Sequence, residues 1–282
     1  HILNAVAGNV GTTVRLADHR SSISSAPFAD IQALTERMAA GQVGVALVHG
    51  TNPAYTVPES AGFAAALASV PFKVSFATEP DETSELADLI LPDRHFLEAW
   101  GDSNPTPGLF ALQQPTMQPV PHFDSKQTGD VLLSVAVRLG SALGPSTFYE
   151  HLVARWQAVH AQYGAGIGFD TWWKQTLKDG SIRVADAPAE VTTALQVPDA
   201  ALAFGAPAMD GEGEFTLVVY PSPRFGDGKF ASSPWMQELP DPVSKLAWHS
   251  WIEMHPDAAE RLGVRDGDVV VVESPHGSIE AP

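Results

Sequence analysis

Apolar residues in the first half of the chain occur in short continuous runs separated by segments with helical spacing. Three runs, Val43–Val48, Pro71–Phe76 and Leu89–Leu91, have the composition of strands buried in a parallel sheet. Between the first two lies Ser60–Ser69, in which apolar residues recur every three or four positions. Strand, helix, strand, short helix and strand form the repeat of an α/β fold. The pattern therefore predicts an open, mostly parallel sheet flanked by helices.

Other segments of this region have one apolar face, which is typical of helices packed on such a sheet. The predicted helices cover Phe28–Ala40, Thr128–Leu139, Phe148–Tyr163 and Asp170–Lys178, and a further short strand covers Leu109–Leu112. After residue 184 the sequence is rich in alanine and proline and weakly patterned. We therefore assign residues 1–184 to one α/β domain and residues 185–214 to a linker.

The last part of the chain has short strand patterns joined by turns rich in glycine, proline and aspartate. Strands are predicted at Phe215–Tyr220, at Val269–Val272 and from Ser278 onward, with a capped helix at His255–Gly263. Short strands of this kind are typical of a small barrel. We therefore predict a partial β-barrel domain at residues 215–282.

The composition narrows the functions that are open to this chain. It has 282 residues, of which 44% are hydrophobic, and a formal net charge of −17. Such an acidic chain disfavours nucleic acids and anionic membranes as partners. No apolar run is long enough to span a membrane directly. The sequence has no cysteine, which excludes disulfides, thiolate nucleophiles, thiolate zinc sites and all-cysteine iron–sulfur clusters within it.

The two ends of the sequence suggest a piece of a longer polypeptide. The chain begins at His1 and enters an apolar segment at once, and it stops just after a predicted strand that needs a partner. We therefore expect further domains in the parent protein.

The first candidate ligand loop follows the first predicted strand, where open α/β sheets bind ligands. It consists of Gly50, Thr51, Asn52 and Pro53. Glycine lets a ligand approach the backbone, and the asparagine amide can both donate and accept hydrogen bonds to a polar ligand. The alternative interpretation is a plain turn between a strand and a helix.

The second candidate loop is acidic. Asp81, Glu82 and Thr83 follow the second predicted strand, and Asp88 comes shortly afterwards. A carboxylate at a strand end can accept hydrogen bonds from a guanine or from ribose hydroxyls. The same residue types also favour the start of a helix, so a capping role stays open. We take the residues of both loops as candidate cofactor-binding residues.

The sequence shows no catalytic group and no metal site. His95, Glu98 and Asp102 are of metal-ligand type, but no other ligand set lies nearby in the sequence. We expect Glu98 to hydrogen-bond a following loop instead. Neither a nucleophile elbow nor a Walker-type phosphate loop occurs. We therefore assign no catalytic residue and no metal ligand to this chain.

Two segments of the sequence carry a combined pattern. The first is GTNPAYTVPES with DETSELADLILPDRHFLEAWGDSNPTPG, and the second is SPWMQELPDPVSKLAWHSWIEMHPDAAERLGVRDGDVVVVESPHGSIEAP. In this order they resemble the molybdopterin oxidoreductases of the dimethyl-sulfoxide-reductase superfamily. The first segment is similar to the third domain of those proteins, and the second is similar to the start of their C-terminal double-psi β-barrel. The resemblance implies that the two loops and the barrel surround one guanine dinucleotide of the cofactor. It makes molybdopterin guanine dinucleotide the candidate cofactor.

Within the superfamily, four segments resemble the large iron–sulfur/molybdopterin-like subunit of alternative complex III. They are LEAWGD, QQPTMQPV, GDVLLSVAVRLG and FDTWWKQTLKDG. The resemblance implies a membrane-bound respiratory quinol:electron-acceptor oxidoreductase, with iron–sulfur, haem c and integral membrane quinol-binding subunits as partners. It also implies a location on the periplasmic face of the inner membrane, with attachment through those partners.

Two functions stay open under this resemblance. The metal ligand and the cysteine cluster of the superfamily lie in upstream domains, so iron–sulfur clusters are expected elsewhere in the parent protein. In the first function, the chain is a scaffold of alternative complex III type with an empty cofactor cleft. In the second, it is the cofactor-cradle part of a molybdenum bis-guanine-dinucleotide reductase of the polysulfide or thiosulfate reductase type. A free-standing nucleotide-binding protein is a more distant third function.

Overall fold

The computed structural model describes residues 2–9, 12–14, 26–106, 108–141, 143–164, 166–184, 211, 213–226, 228 and 230–282. The chain divides into two compact units. One consists of His1–Thr51 with Ala64–Ala203, and the other of Asn52–Phe63 with Phe204–Pro282. The predicted linker, 185–214, lies almost wholly outside the described residues. None of the described helices combines the length and the apolarity that crossing a bilayer requires.

The described residues contain helices and short strands in a mixed α/β arrangement. The helices are α1 (Ile2–Val6), α2 (Phe28–Ala39), α3 (Pro53–Thr56), α4 (Phe63–Ala68), α5 (Thr128–Arg138), α6 (Phe148–Tyr163), α7 (Phe169–Asp179), α8 (Pro234–Glu238) and α9 (Pro256–Leu262). The strands are β1 (Val45–Val48), β2 (Phe72–Ser75), β3 (Leu89–Ile90), β4 (Gly101–Thr106), β5 (Leu109–Gln113), β6 (Ser181–Arg183), β7 (Val270–Ser274) and β8 (Gly277–Ala281).

The first three strands form a parallel sheet in the order β1, β2, β3. Val45 pairs with Phe72, and Val74 pairs with Leu89. Strand β2 is the middle strand, and its last three residues are buried. The outer strand β1 is more exposed, with Leu47 at 56%. The carboxyl ends of all three strands therefore lie at one edge, which carries both candidate loops.

The remaining strands of the first unit form a separate sheet, which is antiparallel in the order β4, β5, β6. The strands are therefore not all parallel, and β4 and β6 were not predicted from the sequence. Beside this sheet lies a buried cluster of Leu112, Leu152, Trp156, Trp172 and Trp173. It holds together β5, α6 and α7, because apolar side chains from each element are removed from water at the same place.

Helix α6 begins at a well-formed cap. The side chain of Thr147 accepts the backbone N–H of Glu150, and the Glu150 side chain accepts the backbone N–H of Thr147 in return. This reciprocal arrangement satisfies backbone donors that the first turn of a helix leaves free. The predicted boundaries of this helix, Phe148–Tyr163, agree with the structure.

The second unit contains an antiparallel hairpin of β7 and β8, in which Val270 pairs with Ala281. The predicted strand Phe215–Tyr220 is wrong: the segment pairs with no described strand, and Val219 is 84% exposed. Its β-branched and aromatic residues favour an extended backbone, but a strand also needs a neighbour for its N–H and C=O groups. The described residues of this unit therefore show a hairpin and short helices, and the barrel stays a prediction.

Candidate functional site

The first candidate loop leaves β1 through a left-handed glycine. Gly50 has φ of 62°, and a Cβ built on it would meet no atom within 4 Å. Glycine is therefore favoured by the backbone conformation, and the space beside it is open. Thr51 is exposed and follows it into α3, where Asn52 is the N-cap residue and Pro53 the first helical residue. The backbone oxygen of Asn52 accepts the N–H groups of the third and fourth residues after it.

Helix α3 is anchored by its aromatic residue. A Cβ on Gly228 would lie 2.6 Å from an edge carbon of the Tyr55 ring, so the ring packs directly on the glycine backbone. Gly228 has φ of 98°, which also disfavours any other residue there. Both residues belong to the second unit. The turn after the first candidate loop is thus fixed by close packing.

The second candidate loop is closed by hydrogen bonds within itself. Asp81 Oδ1 accepts the backbone N–H of Ser84 at 2.6 Å, and the Asp81 N–H donates to Ser84 Oγ at 2.7 Å. Ser84 starts a short 3-10 helix, and Thr83 before it is 2% exposed. Glu82 lies on the surface. The capping role that the sequence left open is therefore filled by Asp81.

Asp88 forms an ion pair at the start of β2. Its Oδ2 lies 2.9 Å from Lys73 Nζ and accepts the Lys73 backbone N–H at 2.7 Å. The Lys73 ammonium also donates to the Val70 carbonyl at 2.9 Å, so this largely buried cation has two oxygen partners. The side-chain hydrogen bond from Lys73, followed by its backbone hydrogen bond, holds the pKa of Asp88 below its ordinary value of 3.8.

The Asp88 pair predicts a contribution to acid sensitivity. Because the folded-state pKa of Asp88 is lowered, its stabilisation is complete above the ordinary pKa and is lost as pH falls through the lowered value. We expect Asp88→Asn to lower the free energy of unfolding at neutral pH and to flatten its fall below about pH 4. Urea titrations at a series of pH values measure this. The matched change Glu36→Gln, at an exposed position of α2, should leave the slope unaltered.

The structure adds two residues that the sequence did not identify. His49 comes directly after β1, Asp93 lies three residues after β3, and His49 Nε2 is 2.7 Å from Asp93 Oδ2. Strand β2 lies between these two strands, and the ring of Phe76 just beyond it is 6.5 Å from the His49 ring. The pair therefore spans the carboxyl edge of the sheet. Both residues flank predicted strand ends, but they are 44 positions apart, and the sequence alone gives no sign that they meet.

Asp93 also joins the sheet to the helix layer. Its Oδ1 accepts the backbone N–H of Thr128, the first residue of α5, at 2.9 Å, and that of Arg94 at 2.8 Å. A carboxylate at this position satisfies a free helix donor and also interacts favourably with the helix dipole. With its side chain only 12% exposed, Asp93 thus connects β3, α5 and, through His49, β1.

The three residues of metal-ligand type have separate partners. His95 Nδ1 accepts a backbone N–H of its own 3-10 turn at 3.3 Å. Glu98 Oε1 accepts the N–H of Val120 at 3.0 Å, so the expected bond from Glu98 to a following loop is confirmed. Asp102 Oδ2 accepts Trp156 Nε1–H at 3.0 Å. Across the described ranges, no three histidine, aspartate or glutamate side chains are grouped as a metal site would need.

Comparison with known proteins gives a match to a domain profile and a curated relative. Residues 237–282 match the sequence profile of the Molydopterin dinucleotide binding domain. A curated relative from Nitratidesulfovibrio vulgaris, the "Menaquinone reductase, molybdopterin-binding-like subunit", is 29% identical over 237 residues. That alignment covers 83% of this chain and 32% of the relative, so the chain spans about a third of the relative's length.

Among solved structures, acetylene hydratase from Pelobacter acetylenicus is similar at 14% identity and a TM-score of 0.48. The match covers 89% of this chain and 37% of the hydratase chain. No functional conclusion is drawn from a likeness at this level. The profile match lies within the second of the two segments on which the resemblance is based. The profile match and the curated relative both support the resemblance to molybdopterin oxidoreductases that the sequence motifs indicate.

Proposed function

We propose that this chain is a scaffold part of the large molybdopterin-like subunit of a respiratory quinol:electron-acceptor oxidoreductase of the alternative complex III type. Its cofactor cleft is empty in this proposal, and it takes no part in electron transfer. The name of the relative supports the respiratory setting, because it describes a molybdopterin-binding-like subunit of a menaquinone reductase. The whole-protein role extends beyond this chain, which covers only 32% of that relative.

The proposal is carried by the hydrogen bonds that the chain itself makes at the carboxyl edge of the sheet. A dinucleotide at strand ends needs free carboxylate and backbone groups there. Asp81 Oδ1, which follows β2 at this edge, is bonded to Ser84. Asp88 precedes β3 and so lies at the opposite, amino edge, where its Oδ2 is bonded to Lys73. Asp93 meets His49 across the edge. The residues therefore fit molybdopterin guanine dinucleotide only in part, and no reaction step is assigned to it.

The sequence supports the same proposal through its lack of cysteine. A four-cysteine cluster cannot be built from this chain, so iron–sulfur clusters belong to other parts of the complex. The proposed partners are the iron–sulfur, haem c and integral membrane quinol-binding subunits. The proposed location is the periplasmic face of the inner membrane, with attachment through those partners.

The architecture proposed for residues 215–282 is the start of a double-psi β-barrel. The profile match to residues 237–282 and the β7–β8 hairpin support it. The proposed division into an α/β domain at 1–184, a linker at 185–214 and this barrel rests on the sequence pattern.

A second function is favoured by the geometry of the first loop. The backbone at Gly50 is open and left-handed, which suits close approach of a ligand. The chain would then be the cofactor-cradle part of a molybdenum bis-guanine-dinucleotide reductase of the polysulfide or thiosulfate reductase type. Its binding residues would be Gly50, Thr51, Asn52, Pro53, Asp81, Glu82, Thr83 and Asp88. Such a group supplies a redox-active metal when bound, and this chain would supply only binding and orientation.

Elemental and pterin analysis of the intact complex separates these two functions. We expect molybdenum and tungsten far below one atom per large subunit, and no fluorescent pterin after oxidative extraction. A molybdoenzyme of the same superfamily, prepared in parallel, controls for loss during purification. Stoichiometric molybdenum with pterin would overturn the scaffold proposal and favour the second function.

A further inference from the structure

The first unit carries an open groove at the start of α6 and α7, away from the sheet edge. Its volume is about 360 Å³, and it is lined on one side by α6 residues and on the other by α7 residues. Both helices present their first turns to it. None of the residues predicted or observed at the sheet edge lines this groove.

Aromatic rings form much of the groove. Trp173 is 8% exposed, and the ring of Phe169 stacks on it with centroids 5.9 Å apart and planes 16° from parallel. On the α6 side, Tyr149 is 38% exposed and its ring lies 4.7 Å from that of Trp100. The faces of such rings carry partial negative charge and attract cations.

Two carboxylates complete the lining. Glu150 lies on α6 and Asp170 in the first turn of α7, and no basic side chain is among the described residues that line the groove. Hydrogen bonds from the Ser146 side chain and backbone lower the pKa of Glu150, so it is ionised at neutral pH. A groove with aromatic walls and two carboxylates is complementary to a flat, positively charged group.

We propose that this groove docks an arginine side chain of a partner subunit. The proposal deepens the scaffold function above and rests on it. A guanidinium can stack on Tyr149 or Phe169 while its N–H groups reach the carboxylate of Asp170 and that of Glu150. Glu150 Oε2 already accepts hydrogen bonds from Ser146 and Thr147, so the other oxygen of this carboxylate would face the guanidinium. A second copy of this chain is a poor occupant, because each copy carries a net charge of −17 and copies repel. A basic segment of a different subunit has the matching charge.

Binding to the full-length protein can be tested with two short peptides that differ only in the side chain of the central residue. One is acetyl-leucyl-arginyl-leucine amide, and the other has neutral citrulline in place of arginine. Loss of the guanidinium charge is expected to weaken binding about tenfold, in line with a combined cation–π and charge-assisted hydrogen bond. Added salt should weaken the arginine peptide selectively. Equal binding of the two peptides, or binding of neither, would overturn the proposal.

A pair of matched variants tests the place of binding. Ala154 lines the groove on α6, whereas Ala33 is an exposed alanine of α2 and does not line it. Ala154→Lys puts a cation of the chain's own into the groove and should reduce arginine-peptide binding about tenfold. Ala33→Lys adds the same charge on another helix and should leave binding unchanged. Equal effects of the two variants would mean that only net charge matters, which contradicts a specific site.

Assembly of the complex gives the decisive readout. Ala154→Lys in the full-length subunit should reduce its co-purification with the other subunits, and Ala33→Lys should not. Normal assembly of the Ala154→Lys subunit would contradict the docking proposal. It would not affect the conclusion from the molybdenum and pterin content. Conversely, stoichiometric molybdenum would overturn the scaffold function without restoring or removing arginine binding. The two failures are therefore distinguishable.

Discussion

Replacement of Trp156 by alanine is expected to lower the free energy of unfolding of the first unit by about 3–5 kcal/mol. The side chain is 1% exposed and packs in the cluster with Leu152, Trp172 and Trp173. Truncation leaves a large cavity between β5, α6 and α7, because rigid elements around it collapse only partly. It also removes the indole donor from Asp102, whose carboxylate is largely buried. Urea unfolding followed by circular dichroism measures the loss.

The control for Trp156→Ala is the same substitution at a tryptophan on the surface. Trp235 is 84% exposed, and Trp235→Ala should change the free energy of unfolding by no more than about 0.5 kcal/mol. A comparable loss in both variants would show that removal of any tryptophan destabilises the protein. In that case, the cluster around Trp156 would not be the stabilising core of the helix layer.

Replacement of Asp93 by alanine should have the second largest effect, about 2–4 kcal/mol. The change removes the acceptor for the Thr128 and Arg94 N–H groups and leaves His49 without its partner. The Thr128 donor is at the start of α5 and is part of a buried residue, so its lost hydrogen bond is not fully replaced by water. Chemical denaturation gives the free energy, and amide exchange at Thr128 reports the local opening.

Two variants separate the roles of Asp93. His49→Ala removes only the pair across the sheet edge, and it should cost at most about 1 kcal/mol because the His49 side chain is 57% exposed. Asp93→Asn keeps an oxygen acceptor for the two N–H groups and should recover much of the loss. If His49→Ala costs as much as Asp93→Ala, the stabilisation lies in the edge-spanning pair and the anchoring of α5 is secondary.

Much of the secondary structure was predictable from local patterns. The buried run at β2 and the amphipathic segment of α6 were identified because strand and helix place apolar residues with different periods. Strand β4, Gly101–Thr106, was missed because its sequence GDSNPT is polar and contains proline. It forms a strand because its neighbour β5 supplies hydrogen-bond partners. The segment Phe215–Tyr220 shows the reverse, since it has strand composition but no described partner.

The positions of the candidate loops could be predicted from the sequence, but the contacts of their side chains could not. The positions of Gly50 and Asp81 at strand ends followed from the order of strands along the chain. The hydrogen bond of Asp81 to Ser84 is local and was open as an alternative, because acidic residues suit a helix start. Two contacts join residues that are far apart in the sequence. Asp88 pairs with Lys73, and His49 pairs with Asp93. No local pattern encodes such pairs.

The sequence by itself indicated the α/β character of the first unit and the resemblance to molybdopterin oxidoreductases, and it excluded a cysteine-held cluster within these 282 residues. Periodicity, motif order and composition are properties of the chain alone. Only the tertiary structure decided what the strand-edge carboxylates bind and where a groove forms. His49 meets Asp93 because three parallel strands bring their carboxyl ends to one edge. The groove of Tyr149 and Trp173 exists because α6 and α7 pack on one core. Such contacts depend on packing between distant segments, which the linear pattern does not specify.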